Sequence, residues 1–369
     1  MRVIINRSDA IGDTLLTMPM AKVIKENHPE AKVCFIISPR SEDLFPDHPY
    51  VDEYWVLDHS NSTFSKLNFL NKKMKNFNAT HFFHVGGSHI PSIAAFINKV
   101  PFRGGLRSKW SSFLFLNQAL RQKRSMVTMH ESEYNISLLS KMGIEYNAHK
   151  RNEYAPQIKL SQTELHQSDD YFQSELQKQG MDYNKPMIVI HPGMTGHTLN
   201  WASRNYGRLI DRLENDNPGK YNFIISHTPS DEKYLFGLKD YLNSEEHSSL
   251  NDKVYFLDGS LRGLRNYMGI LARAKAFIGP STGTTHIANA LGVPMVGLYS
   301  PIKVQSTLRW GPFKRQSDKV KVIVPDVVCG ETIHCAGSIC PYYECMAKVE
   351  VEDVFMAVKE LLDNNSKEQ

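Results

Sequence analysis

The chain has 369 residues, of which 41% are hydrophobic and 22% charged, and carries a formal net charge of +4. That length exceeds what one hydrophobic core usually spans, so two domains are expected. The charge is too mild to argue for a nucleic-acid partner, and no apolar run approaches the ~18 residues of a membrane helix. The opening residues read as a first strand and not as a signal peptide, which predicts a cytoplasmic protein.

In chain order, Val3-Ile4-Ile5 predicts a buried strand, followed by the loop Ser8-Asp9-Ala10-Ile11-Gly12-Asp13 and a helix from about residue 14 to residue 27. Gly12 suits a tight turn, and Asp13 stands at the helix start. There it reads either as an N-cap or as a carboxylate facing a ligand. Further strands are expected over residues 33–37, 53–57 and 81–85, the last ending at Gly86-Gly87. Short apolar strands alternating with amphipathic helices imply a parallel sheet wrapped on both faces. Residues 103–124 interleave Arg103, Arg107, Lys109, Arg121, Lys123 and Arg124 with Trp110, Phe113, Leu114, Phe115 and Leu116. One reading is a solvated helix face backed by a buried one.

A polar stretch, residues 159–185, contains one helix and joins this half to a second series with strands over 187–191, 222–226 and 254–257. His191-Pro192-Gly193-Met194-Thr195-Gly196 follows the first of these and leads to Trp201 and a helix over 206–213. A glycine-bearing turn after a strand is a weak phosphate signal by itself. The segment 276–299 is stronger. Ala276-Phe277-Ile278 enters as a strand, Ser281-Thr282-Gly283-Thr284-Thr285 forms a small-residue turn, and a helix from His286 to Leu291 ends at Gly292 before a strand over 294–299. Strand, hydroxyl-rich turn and helix start gather main-chain N–H groups and a positive dipole end at one point, a socket for a phosphate.

Cys34 sits in an apolar strand and reads as inert core. Cys329, Cys335, Cys340 and Cys345 crowd one segment. Tetrahedral metal is one reading, although a Cys-x-x-Cys pair is absent; unlinked thiols are the other, since a reducing compartment disfavours disulfides. The expected organisation is a first domain at 1–165, a second at 166–350, and a last helix within 351–369 that either half could claim, packing back on the first being one option.

Four blocks together resemble glycosyltransferase family 9, the ADP-heptose:lipopolysaccharide heptosyltransferases. They are MRVIINRSDAIGDTLLTMP at the start, FRGGLRSKWSSFLFLN with RQKRS and HESEYN over 102–135, IHPG with a tryptophan and NYGRLIDRL over 190–213, and STGTTHIANALGVPMVGLYSP from 281. The resemblance implies an α/β GT-B architecture, with two doubly wound Rossmann-like domains facing a central cleft, and inverting sugar transfer from a nucleotide-diphosphate sugar. In that frame Asp13 matches the general base. Thr195, Trp201, Asp231 or Glu232, Ser281, Thr282, Gly283, Thr284 and His286 fall at donor positions, and Gly12, Arg107 and Lys109 on the acceptor side. No Asp-x-Asp metal site is visible, so no cofactor and no catalytic metal are expected. The partners implied are the nucleotide sugar and a lipid-linked oligosaccharide acceptor, with peripheral contact at the inner face of the inner membrane as the sharper reading of residues 103–124.

Two departures bear on the donor. Many members carry an acidic residue where Ser281 stands, and many carry a lysine two residues before the tryptophan, where this chain has Leu199. Losing that cation removes a charge-assisted bond to phosphate. Arg204, Lys303 and Arg309 are the candidate replacements.

Overall fold

The computed structural model describes residues 1–194, 196, 198–314 and 318–367. The chain divides into two compact units, Met1–Lys159 and Leu160–Gln369. The first runs β1 (Arg2–Arg7), α1 (Ile11–Leu15), α2 (Pro19–Asn27), β2 (Lys32–Ile37), β3 (Glu53–Val56), α3 (Thr63–Phe77), β4 (His81–Gly86), α4 (Ile90–Ile97), β5 (Phe102–Leu106), α5 (Trp110–Phe115), β6 (Gln118–Leu120) and α6 (Glu131–Ser137). The second runs α7 (Gln162–Lys178), β7 (Met187–Ile190), α8 (Ser203–Asp216), β8 (Asn222–His227), α9 (Phe236–Leu242), β9 (Val254–Asp258), α10 (Gly263–Ala272), β10 (Ala276–Pro280), α11 (Gly283–Leu291), β11 (Met295–Leu298), α12 (Thr307–Trp310), β12 (Val320–Ile323) and α13 (Val351–Lys367).

Each unit holds a six-stranded parallel sheet, ordered β3-β2-β1-β4-β5-β6 in the first and β12-β11-β10-β7-β8-β9 in the second. Both orders are the doubly wound Rossmann arrangement, which reverses direction once and opens a ligand crevice at the carboxyl ends of the two central strands. Those pairs are β1 with β4 and β7 with β10. Central strands of a covered parallel sheet are buried on both faces and read as continuous apolar runs. β7, β10 and β11 are buried throughout, and in β1 and β2 only the first residue is exposed. The expected fold class, two doubly wound Rossmann-like units of the GT-B kind, is the one observed.

Several local expectations change. The helix over 14–27 is two helices, because Pro19 lacks the N–H that would continue the first and instead opens α2. Residues 103–124 are not one amphipathic helix: they fold as most of β5, the six-residue α5, and β6. β12 is an edge strand with no fully buried residue, three being half-buried and one exposed, so it carries little sequence signal. The unit division precedes the expected boundary at 165, and α7 belongs to the second unit. The last helix packs within that unit. Val354, Phe355, Val358 and Leu361 of α13 join Leu209 and Leu213 of α8 and Ile278 of β10 in one core. Cys34 is fully buried in β2, and burial pushes its thiol well up.

Two half-buried histidines of the first unit make its stability pH-dependent. His48 and His84 are each held down to about 4, chiefly by burial, with Lys159 contributing at His48 and Arg7, Lys109 and His89 at His84. The ordinary value is 6.5. Between the two, the unfolded chain binds protons that the folded one refuses, so stability is full above about pH 6.5 and falls as pH drops toward about 4. The melting temperature is expected to be lower at about pH 5 than at about pH 7, and His84→Asn should shrink that difference. A melting temperature that does not move across this window contradicts the assignment.

Candidate active site

At the first switch point, the end of β1 delivers Arg7, Ser8 and Asp9. Arg7 Nε donates to Asp9 Oδ1 at 2.9 Å, its Nη2 donates to Asp13 Oδ1, and its Nη1 lies 3.9 Å from Glu131 Oε1. Glu131 opens α6, is almost wholly buried and also pairs with Arg124. Two guanidiniums and three carboxylates thus share one cluster. Burial would pull the Arg7 guanidinium down, but Asp13, Asp9 and Glu131 around it more than reverse this. For Asp13, burial dominates and raises the carboxyl above its usual value. Arg7 opposes that rise, while Asp9 and Glu131 reinforce it. A carboxylate made more basic than normal, yet still 23% exposed, is suited to accept a proton.

The N-cap reading of Asp13 does not hold. The cap of α1 is Ala10, which makes no side-chain cap bond, and Asp13 is the third helical residue. Gly12 likewise lies inside α1, its carbonyl accepting the Leu16 N–H at 3.0 Å, so the turn is made by residues 8–10. Gly86 and Gly87 at the end of β4 let this loop approach. A Cβ on Gly86 would meet the Arg7 guanidinium and the Asp9 carboxylate at 2.9 Å, and one on Gly87, whose φ is +80°, would meet the Ser8 backbone at 2.9 Å.

At the second switch point, β10 ends in Pro280 and α11 begins with Gly283 after the cap residue Thr282. Thr282 makes no side-chain capping bond; its hydroxyl lies 3.4 Å from that of Thr285, which itself donates to the Pro280 carbonyl. The first-turn N–H groups of a helix have no intrahelical partner, so Gly283, Thr284 and Thr285 present donors at a positive dipole end. Thr282, Gly283 and Thr284 are half-buried; Ser281 and His286 are buried beside them.

The loop after β7 adjoins this corner. His191 Nε2 lies 3.4 Å from the Thr284 hydroxyl, and its Nδ1 is 2.9 Å from the Ser226 carbonyl oxygen. Tyr267 donates to Ser226 Oγ at 3.1 Å. Burial lowers the His191 ring, which keeps it neutral, despite the nearby Asp231. Asp231 Oδ2 accepts from the Thr228 N–H at 2.9 Å and the Thr228 hydroxyl at 2.7 Å. Its carboxyl lies directly over Gly193, where a Cβ would fall 2.3 Å from Asp231 Cγ. Of the two acidic candidates, Asp231 is therefore the one at the β7 loop. Glu232 faces outward and pairs with Lys239 at 2.6 Å.

Trp201 requires a correction as a donor contact. It is 2% exposed, its indole N–H donates to the Val349 carbonyl at 2.8 Å, and its ring meets Tyr206 edge-on. Its role is to anchor the loop to the core. Thr195 lies outside the described residues. Among the candidate cations, Arg204 stacks over the Tyr241 ring at 5.7 Å and Arg309 over Trp310 at 4.8 Å. Lys303 is exposed and opens a short turn whose Gln305 accepts from Thr198 at 3.0 Å, so it stands beside the loop that lacks the lysine.

On the first unit, α4 and α5 carry an apolar patch. Trp110 is 67% exposed, Leu114 61% and Phe113 58%, with Phe96 and Ile97 alongside. Arg107 covers the Phe113 ring at 4.7 Å and Lys109 caps α5. Arg103 is structural, donating to the Val100 and Phe115 carbonyls, and Arg124 is turned inward to Glu131. Among the described residues no helix is long and apolar enough to cross a membrane.

Arg7 and Glu131 escaped the sequence reading as site residues, because their meeting depends on strand order. A charged residue at the end of a buried strand was the available signal for Arg7.

A protein of Haemophilus influenzae named only as a candidate glycosyltransferase is 24% identical over 315 residues, covering 84% of this chain and 86% of its own length. Lipopolysaccharide heptosyltransferase 2 of Salmonella typhimurium is 22% identical over 308 residues, covering 82% and 83%. The solved Escherichia coli ADP-heptose lipopolysaccharide heptosyltransferase II superposes with a TM-score of 0.77 at 19% identity, over 99% of this chain and all of that one. The family model for glycosyltransferase family 9 (heptosyltransferase) matches residues 70–331. With the family's sequence blocks lying at the two switch points of a doubly wound pair, the chain belongs to glycosyltransferase family 9 and is a heptosyltransferase-like glycosyltransferase.

Proposed function

We propose that the chain is an inverting, metal-independent transferase that moves a heptose from ADP-heptose to a lipopolysaccharide-core or related glycan acceptor. The observation that carries this reading is the content of the two switch points: a carboxylate of raised basicity in one unit and an anion-accepting helix start in the other. The acceptor hydroxyl oxygen attacks the anomeric carbon while Asp13 takes its proton. The bond from that carbon to the diphosphate oxygen breaks, and a single displacement inverts the centre. Charge growing on the departing diphosphate is met by the N–H groups of Gly283, Thr284 and Thr285, with His286 close by. Lys303 supplies the cation that Leu199 cannot, and Asp231 reads a donor hydroxyl. Arg107 and Lys109 meet the anionic acceptor, and Trp110, Phe113 and Leu114 give a peripheral, salt-sensitive contact at the cytoplasmic face of the inner membrane.

Ser281 favours a second reading, because a hydroxyl in place of a carboxylate changes how a sugar is held. In it the donor is another nucleotide-diphosphate sugar, or the acceptor is a protein. A thermal-shift panel of nucleotides and nucleotide sugars decides between them, since a ligand that binds only the folded chain raises its melting temperature. ADP and ADP-heptose are expected to give the largest shifts. A larger shift with uridine or guanosine diphosphates moves the protein to the second reading, and no shift with any of them removes the nucleotide-sugar assignment altogether.

A further inference from the structure

Four of the five cysteines converge on one place outside the switch points. Cys329, Cys335, Cys340 and Cys345 all line a single cavity of about 370 Å³ in the second unit, together with Leu199 and Asn200. They are spaced six, five and five residues apart along the segment after β12, and all four are free thiols. Cys345 is buried against the core, Cys329 and Cys340 are half-buried, and Cys335 is exposed.

Two of the sulfurs already receive main-chain donors in the same local geometry. The Gly337 N–H points to Cys335 Sγ at 3.3 Å and the Tyr342 N–H to Cys340 Sγ at 3.4 Å, each from two residues ahead. These bonds hold both sulfurs in one local turn geometry. Cys345 closes the inner side of the same cavity, so one cation there would face all four sulfurs and offset their mutual repulsion when deprotonated.

We propose that Cys329, Cys335, Cys340 and Cys345 form a tetrahedral all-thiolate site for one divalent cation of the zinc or ferrous-iron type, which braces the loop carrying Leu199. Four sulfur donors with no oxygen ligand select this class over magnesium or calcium. Among the described residues no three ligand side chains stand as a finished cage. Binding therefore draws the segment inward to metal–sulfur distances of about 2.3 Å. The same segment is already tied to the Lys303 turn, through Lys303 N–H to the Glu331 carbonyl at 3.4 Å and Val304 N–H to the Thr332 carbonyl at 3.0 Å. Met346 and Val349, just beyond Cys345, sit in the core with Trp201. The cation would thus hold the Leu199 loop and the Lys303 turn in fixed relation. That consequence rests on the donor reading above; the metal site itself does not.

The test begins with elemental analysis of the full chain purified without chelator. About one equivalent of zinc or iron per chain is expected, lost in Cys340→Ser and in Cys335→Ser. Should those variants fail to fold, wild-type protein titrated with a mercurial is expected to release the metal in step with thiol modification. Cobalt(II) added to metal-stripped chain should give the visible bands of a tetrahedral thiolate site. Metal at background levels, with all four thiols reacting freely or found as disulfides by mass spectrometry, overturns the site. Metal held at one equivalent in both serine variants also overturns it. Stripping the metal should weaken ADP binding several-fold; unchanged binding in a chain that does hold the cation overturns the bracing role. If no nucleotide binds the metal-loaded chain, the donor reading fails while the thiolate site stands.

Discussion

Asp13→Ala is expected to lower turnover at least ~100-fold, the scale of losing a general base, while leaving donor affinity close to that of the parent. The separation follows from the fold: Asp13 sits at the β1 switch point of the first unit, whereas the N–H groups proposed to hold the diphosphate sit on α11 of the second. Asp13→Asn is the sharper control, because the amide keeps an oxygen for Arg7 yet cannot take a proton at neutral pH. Both variants should bind ADP in calorimetry as the parent does. In the parent, kcat/KM should fall as pH drops through the Asp13 value, which burial sets above the ordinary 3.8. Turnover that survives both substitutions places the base elsewhere.

Arg7→Met is expected to have the second largest effect, and on two separate quantities. Arg7 is the cation that pairs with both Asp9 and Asp13 and stands near Glu131. Removing a buried partner leaves uncompensated charge and costs roughly 3–5 kcal/mol, read as a lower urea midpoint. The second effect is electrostatic. Since Arg7 is what opposes the rise of the Asp13 carboxyl, its loss should push that group higher still and move the acidic limb of the pH–rate profile toward neutral. A merely structural Arg7 would lower stability and leave the limb where it was. That outcome would remove Arg7 from the role of positioning and tuning the base.

The contrast between Asp13 and Arg7 shows where sequence reading reaches and where it stops. Asp13 was legible because the loop after a first apolar strand is where doubly wound sheets collect ligands, and because the Gly-Asp block fits a family pattern. The Ser281–His286 corner was legible for a related reason: a hydroxyl-rich turn between a strand and a helix is a local arrangement, fixed by neighbours in the chain. The inward turn of Trp201 was not, since an indole that anchors a loop and one that meets a ligand look the same until Val349, 148 residues away, supplies its acceptor. Glu232 and Asp231 were likewise indistinguishable as neighbours; only the close approach of Gly193 to Asp231 separates them.

By itself the sequence determined that there would be two parallel αβ units, where nine of the twelve strands among the described residues run, and which loops stand at the two switch points. Period, capping and turn chemistry act over a few residues, so they survive in one dimension. Only the tertiary structure decided that β1 neighbours β4 and β7 neighbours β10, that Glu131 and Arg124 close around Arg7, that α13 joins the second core, and that four cysteines share one cavity. Those pairings depend on which buried strands lie side by side, and that choice is made by burial of apolar surface across the whole unit, which no short stretch of chain encodes.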